Sequence, residues 1–243
     1  MGGKNMMVIR GRCLLIFLLL SFSAYSRNDL KPFFKTADIF FHTYVKTGKI
    51  DYLYIKQNTG ALKVLLNNIS SIDPGSLRGK KLKAYLINVY NIFVIDQVMR
   101  FYPLISPYEA SGFFTRRDFN IGGRSVSLNE VKEILMNKFP DLKIYGLLCN
   151  GSVGSPLLAD HVYKARGLKK ILNQQIKKIA NDRNFVRLVP KASLILFSDA
   201  FRGYEKYLAK EKMVRRMNKL RKEKLPLKFE IEFFPGNCNL NIK

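Results

Sequence analysis

The residues best equipped for chemistry gather in one stretch, 143–158, which reads Lys-Ile-Tyr-Gly-Leu-Leu-Cys-Asn-Gly-Ser-Val-Gly-Ser-Pro-Leu-Leu. It offers a thiol at Cys149, an amide at Asn150 and hydroxyls at Ser152 and Ser155. Residues 144–149 form a continuous apolar run of strand length, and Gly151 and Gly154 then let the backbone turn. Ser155 suits a helix N-cap and Pro156 a first helical position. The expected unit is a buried strand, a tight loop and a helix start. Such a junction collects backbone N–H groups and short polar side chains, and anion sites and active sites are often built there. The plainer alternative is a well-made turn. A Ser155/His161 nucleophile pair is excluded by spacing, because six residues on one helix put the two on different faces. Cys149, at the end of an apolar strand, is expected to be buried, with a raised pKa and little reactivity. His42 has no Cys or second His at ligand spacing, so no metal site is expected.

The elements that must hold this loop are led by residues 80–101. Leu82, Tyr85, Leu86, Val89, Tyr90, Phe93, Val94, Val98 and Phe101 cover more than one helical face, as in a central helix buried on most sides. Lys83, Asn88, Asn91, Asp96, Gln97 and Arg100 exclude a membrane span. Asn88 and Asn91 share a face. A buried amide without a partner costs about 1–3 kcal/mol. These two must therefore hold a neighbouring loop, such as 149–155, or face a ligand. Further helices are expected over 31–47, 62–72, 128–138 (opened by a Ser127/Glu130 capping box), from Ser155 onward, 168–180 and 199–224. Gly122-Gly123 signals a hairpin within 118–126, and strands are expected at 144–149, 185–189, 194–197 and, as an edge, 229–234. The fold class is α+β: a helix-rich single domain with a small mixed β-sheet drawn from these strands, packed by the central helix.

Four segments resemble the uncharacterised family called domain of unknown function 547. Residues 44–52, Tyr-Val-Lys-Thr-Gly-Lys-Ile-Asp-Tyr, resemble its opening signature Tyr-Val-x-x-Gly-x-Val-Asp-Tyr. Residues 84–91 resemble Ala-Phe-Trp-Ile-Asn-x-Tyr-Asn, and 123–132 resemble Gly-x-x-(Leu/Val)-Ser-Leu-(Asp/Asn)-(Asp/Glu)-Ile-Glu. Residues 143–158 resemble the stretch that carries the family's Cys and His positions. In this chain the family's His falls on Tyr145, its first Cys on Asn150, its second Cys on Ser155 and its Asn on Cys149. A further His position is Glu133. The resemblance covers residues 44–207 and implies no substrate, because the family's activity is not established. It invites a Cys/His or redox role for other members. Here Tyr is no base near neutrality, with an ordinary pKa near 10, and Ser155 has no evident activating partner.

Composition sets the outer limits. With 243 residues, 47% of them hydrophobic and 12% aromatic, the chain is long enough for a real core. Residues 1–26 read as a signal peptide: Lys4, Arg10 and Arg12, then the apolar run 14–20, then Ala24-Tyr25-Ser26. Export to the periplasm or outside the cell, with cleavage near Ser26, is expected; an uncleaved N-terminal anchor is the alternative. Cleavage would leave residues 27–243, with Cys149 and Cys238 expected as free thiols and no membrane span. The formal charge of +24 falls to +21 when Lys4, Arg10 and Arg12 leave with no acidic residue. Much of it sits in residues 210–224, where Arg215, Arg216, Lys219, Arg221 and Lys222 could meet an anionic surface. No aromatic follows Tyr207 in that helix and no Gly-rich phosphate motif occurs, so no specific nucleic-acid reading arises.

Two functional classes stay open. One is an exported, non-catalytic binding or structural module for a small molecule or protein. Its pocket would be lined by Asn88, Asn91, Asn150, Ser152 and Ser155, with no cofactor and no catalytic residue. The other is a thiol- or hydroxyl-dependent hydrolase, transferase or redox protein that uses the 149–155 loop.

Overall fold

The computed structural model describes residues 29–207 and 209–243. The expected signal segment 1–26, Cys13 within it, and Leu208 of the expected helix 199–224 lie outside the described residues. The chain is α+β and helix-rich, built around one apolar core.

Helix α1 (Leu30–Tyr44) is capped by the Asp29 carboxylate, which accepts from Lys31 N at 2.9 Å. It buries Phe33, Ala37, Phe40, Phe41 and Tyr44 at three- and four-residue steps. A two-residue hairpin, β1 (Val45–Lys46) and β2 (Lys49–Ile50), leads to short α2 (Tyr52–Gln57) and α3 (Gly60–Ser71). Helix α4 (Gly79–Phe101) is the centre. Every residue from Ala84 to Val98 is buried. The low periodicity that made it look apolar all round is the signature of a helix surrounded by other elements. Its chief neighbours are α2, α3 and α5 (Leu128–Lys138), so it packs among helices more than against a sheet.

Strands β3 (Phe119–Ile121) and β4 (Arg124–Val126) pair across Gly122-Gly123, whose positive φ angles the turn requires. The capping box at α5 is present in both directions. Ser127 Oγ accepts from Glu130 N at 3.2 Å, and Glu130 Oε2 accepts from Ser127 N at 2.7 Å. Helix α6 (Leu168–Ala180) follows, and then a three-stranded sheet of β5 (Val186–Val189), β6 (Leu194–Ser198) and β7 (Glu230–Phe234). β5 and β6 run antiparallel, β6 and β7 parallel, and β7 lies at the edge. The mixed sheet is therefore real but smaller than expected, because residues 119–126 form a separate hairpin.

Three expectations are corrected. Residues 144–149 are no strand: Leu142–Leu147 is a 3-10 turn started by the Asp141 carboxylate, which accepts from Lys143 N at 3.1 Å. An apolar run of six cannot by itself tell strand from buried turn, and here no neighbouring strand is offered. Asn91 takes the place of one, as described below. No helix starts at Ser155, since residues 155–164 run as an irregular segment. Residues 199–224 do not form one long helix. A 3-10 turn, Asp199–Tyr204, precedes α7 (Lys210–Asn218). Asn218 ends α7 by exchanging hydrogen bonds with Leu225, donating to its carbonyl and accepting from its N–H, both at 2.8 Å.

The C-terminal residues 235–243 form a strap across the loop at 150–155. Gly154 N donates to Asn237 O (2.7 Å), Val153 N to Asn239 O (2.8 Å) and Asn241 N to Gly151 O (2.8 Å). Lys243 N reaches Ile50 O, and Asn241 Nδ2 reaches Gly48 O at 2.7 Å, so the strap also ties in the first hairpin. The approach at Gly154 is so close that a Cβ there would stand 2.5 Å from Asn237 N. Gly154→Ala should consequently lift the strap and cost about 1–3 kcal/mol. The check is hydrogen exchange at Asn237, Asn239 and Asn241, together with proteolysis of the tail. Protection equal to the wild type would refute the strap's dependence on this contact.

Candidate functional site

Two asparagines on α4 fix the central loop. Asn91 Nδ2 donates to Leu147 O at 2.9 Å while its Oδ1 accepts from Cys149 N at 3.0 Å. One side chain thus satisfies two backbone groups as a β-strand partner would. One turn earlier, Asn88 Nδ2 donates to Tyr163 O at 2.8 Å and its Oδ1 accepts from Tyr163 N at 3.0 Å. The irregular segment 155–164 is held at a second point by Asp38 on α1. That carboxylate accepts from Val162 N at 3.0 Å and from Lys164 Nζ at 3.2 Å. Those bonds to Val162 and Lys164 hold its pKa below the ordinary value although burial pushes the other way. Asn88 and Asn91 therefore position the loop, and neither lines the cavities described below.

Within the loop, Asn150 Oδ1 accepts from both the N–H (3.0 Å) and the hydroxyl (2.7 Å) of Ser152, and Asn150 Nδ2 donates to Tyr108 Oη at 2.9 Å. Ser155 Oγ donates to Ser152 O at 2.7 Å and lies 3.4 Å from Cys149 Sγ. Ser155 thus closes its own turn instead of capping a helix. Cys149 is buried and burial pushes its thiol pKa up, so it is held as the neutral thiol; Cys238 is exposed, and both are free. His161 is exposed and pairs with Asp160 at 3.0 Å, while Ser155's hydroxyl is engaged inside the loop, so the two form no dyad.

The Asn150–Tyr108 hydrogen bond separates two cavities. One, about 380 Å³, is lined by Ser152, Gly154, Ser198, Arg202 and Cys238 along with the dividing pair. The other, about 200 Å³, is reached by Asn150 and Ser155 from the loop, Tyr145 from the preceding turn, Asn129 and Lys132 from α5, and Tyr90 from α4. Its chemistry is unusual in two respects. Lys132 Nζ sits over the Tyr145 ring, 4.8 Å from the centroid, and no carboxylate among the described residues lies within ion-pair distance of it. Loss of hydration, with the nearby Lys206 charge, pushes its pKa down to about 8. Tyr145 Oη is buried without a hydrogen-bond partner, and burial raises its pKa, which keeps the phenol protonated. Asp199 also borders this cavity, but Arg202 holds its carboxylate at 2.6 Å. A larger cavity, about 520 Å³, lies between segment 156–161 and α6, with His161 and Lys178 at its edge.

Of the residues singled out by sequence, the loop brings Asn150 and Ser155 to the small cavity and Asn150 and Ser152 to its neighbour. Lys132 was not among them, and Tyr145 entered only as the position of the family's His. Lys132 had a legible sign: it falls four residues after Leu128 and three before Leu135, on the buried stripe of α5. In the basic segment, Arg216 donates to Tyr204 Oη at 2.7 Å and Arg221 to Ala180 O. Both are tied to the fold by these bonds; Arg216 is nevertheless exposed, as Arg215, Lys219 and Lys222 are. Lys219, Arg221 and Lys222 also lie beyond the end of α7. Among the described residues no helix is long and apolar enough to cross a membrane.

Residues 74–178 match the family described as Protein of unknown function, DUF547. No curated protein and no solved structure matches the chain. The matched stretch carries α4, the β3–β4 hairpin, α5, the 3-10 turn with Tyr145, the central loop and most of α6. The first resembling segment, 44–52, lies before it and forms the β1–β2 hairpin and the start of α2. Both asparagines that hold the loop, and the lysine and tyrosine of the small cavity, fall inside the match to the DUF547 family of proteins of unknown function, which spans residues 74–178.

Proposed function

We propose that the chain is an exported, non-catalytic binding module that takes the carboxylate of a small ligand in the cavity between α5 and the central loop. The observation that carries this is Lys132: a partly buried cation in a cavity wall, with no carboxylate among the described residues within ion-pair distance. Leaving such a charge uncompensated is costly, and a bound anion relieves the cost. Asn129 and Asn150 supply amides beside it. The volume, below that of pockets for drug-sized molecules, suits a ligand or ligand end of a few heavy atoms. Contact with an anionic surface, as a separate activity, would fall to Arg215, Lys219 and Lys222.

The hydrolase alternative needs an activated hydroxyl or thiol. Ser155 and Lys132 border one cavity, yet they share no hydrogen bond: Ser155 Oγ turns to Ser152 O, and Lys132 Nζ turns to the Tyr145 ring. The thiol of Cys149 is buried and neutral. Binding is the reading that uses the groups as they stand.

The test is titration of the chain with acetate, followed by calorimetry and by NMR of Tyr145 and Lys132. Saturable binding that Lys132→Met abolishes, with the fold retained, is the expected result. Equal acetate affinity in the wild type and in Lys132→Met would remove the proposal's basis.

A further inference from the structure

Among the described residues, Lys and Arg form six ion pairs with carboxylates, and none of the six uses α6 or the segment 210–224. α6 holds no acidic residue and leaves Lys169, Lys170, Lys177 and Lys178 exposed. Positions 169, 170 and 177 lie within about 100° of one another around a helix, so they share a face. With Gly167, Asn173 and Gln174 they line an open hollow of about 550 Å³ along α6. The segment 210–224 adds Lys212, Arg215, Arg216, Lys219 and Lys222, all exposed.

The fold joins these two groups, which the sequence keeps apart. Asn181, at the C-terminal end of α6, donates through Nδ2 to Leu220 O at 3.1 Å and accepts through Oδ1 from Lys222 N at 2.9 Å. Arg221 donates to Ala180 O beside it. The end of a helix carries unpaired carbonyls and a partial negative charge. Arg221 answers that charge here, so Lys177 and Lys178 in the last turn stay free to meet something outside the chain. The turn 219–222 therefore continues the basic side of α6. Like charges gathered in this way repel one another, and a surface of opposite charge relieves the repulsion.

We infer that α6 and the turn 219–222 form one basic face that docks the chain on an anionic lipid bilayer. This face lies outside the carboxylate cavity and does not depend on it; the choice of lipid rests on the export reading, which brings a membrane within reach. The residues agree with that choice. No aromatic side chain occurs in 164–181 or 210–224, so the face has no platform on which bases could stack. α6 is about 20 Å long, more than two screening lengths of about 8 Å at physiological salt. Its two ends and the turn consequently attract a charged plane separately, and their contributions to affinity multiply. Each basic residue near such a surface is worth about fivefold.

The experiment sediments the full chain with phosphatidylcholine vesicles, with and without phosphatidylglycerol, at low and at physiological salt. Binding is expected to need phosphatidylglycerol and to weaken as salt rises. Lys169→Gln/Lys170→Gln/Lys177→Gln should weaken it about a hundredfold. These side chains are exposed and glutamine keeps the helix, so the variant retains the fold. Arg215→Gln/Lys219→Gln/Lys222→Gln should weaken it by a similar factor. Wild-type affinity in the α6 variant overturns the joint face. Equal binding to neutral and anionic vesicles, or binding to neither, overturns the docking itself, and the wild-type chain alone decides this. Duplex DNA bound more tightly than anionic vesicles at the same salt assigns the face to nucleic acid and overturns the lipid. Acetate titration reads Lys132 and not this face, so the cavity and the basic face stand or fall separately.

Discussion

Asn91→Leu is expected to destabilise the chain by about 3–5 kcal/mol, the largest effect of any single polar replacement at the loop. Leucine keeps most of the volume, so packing loss is small. What changes is hydrogen bonding: Leu147 O and Cys149 N, both in buried residues, lose their partner at once. Each unmet backbone group costs about 1–3 kcal/mol, and no nearby strand can replace the amide. Asn91→Asp distinguishes this account from a generic core defect. The aspartate can still accept from Cys149 N, but when ionised it cannot donate to Leu147 O and adds a buried charge. It should be stabilised relative to neutral pH only as acid protonates it, until the rest of the fold gives way. Urea unfolding of both variants at pH 7 and pH 5 checks the claim. A loss below about 1 kcal/mol for Asn91→Leu would mean that water enters the loop and repairs it.

Legibility in the sequence followed the range of the signal. α4, the capping box of α5, the Gly-Gly hairpin, α6 and the three strands of the sheet are written in residues a few positions apart, and they stand where those residues place them. Asn88 and Asn91 could be read as needing partners, because a buried amide is costly. Which partners they would find was not written locally, since Tyr163 and Leu147 lie 75 and 56 residues away. The apolar run 144–149 misled for the same reason: its hydrogen bonds go to a side chain, a solution that periodicity does not record. Ser155-Pro156 carried the local grammar of a helix start, but Asn88 and Asp38 pin the following backbone in an irregular course, and tertiary bonds overrode the cap. The C-terminal strap depends on the absence of a side chain at Gly154, whose partner lies more than eighty residues on. The long basic helix failed because Ser198 starts a 3-10 turn through its hydroxyl and Asn218 stops α7.

Lys132→Met is expected to stabilise the chain by about 1–2 kcal/mol at pH 7 and to abolish acetate binding, so that the site is maintained against stability. Folding takes this amine out of water without giving it a carboxylate. Its pKa falls from the ordinary 10.5 to about 8. Below pH 8 the lysine is charged in both the folded and the unfolded chain, and the penalty on the folded state is fully present. Between pH 8 and 10.5 the unfolded chain binds more protons than the folded one, so stability rises with pH. Above 10.5 both states are neutral and the penalty is gone. The full shift corresponds to about 3 kcal/mol. Lys132 is only partly buried, and methionine forfeits a cation–π contact worth about 1 kcal/mol, which brings the net gain down. The advantage of the methionine variant should accordingly be largest at pH 7 and shrink as pH climbs from 8 toward 10. Urea unfolding of both proteins at pH 7 and pH 9.5 measures it directly. A difference that stays constant between these values would show that hydration reaches the amine, and with that the physical basis for a ligand-seeking cation in this cavity would be lost.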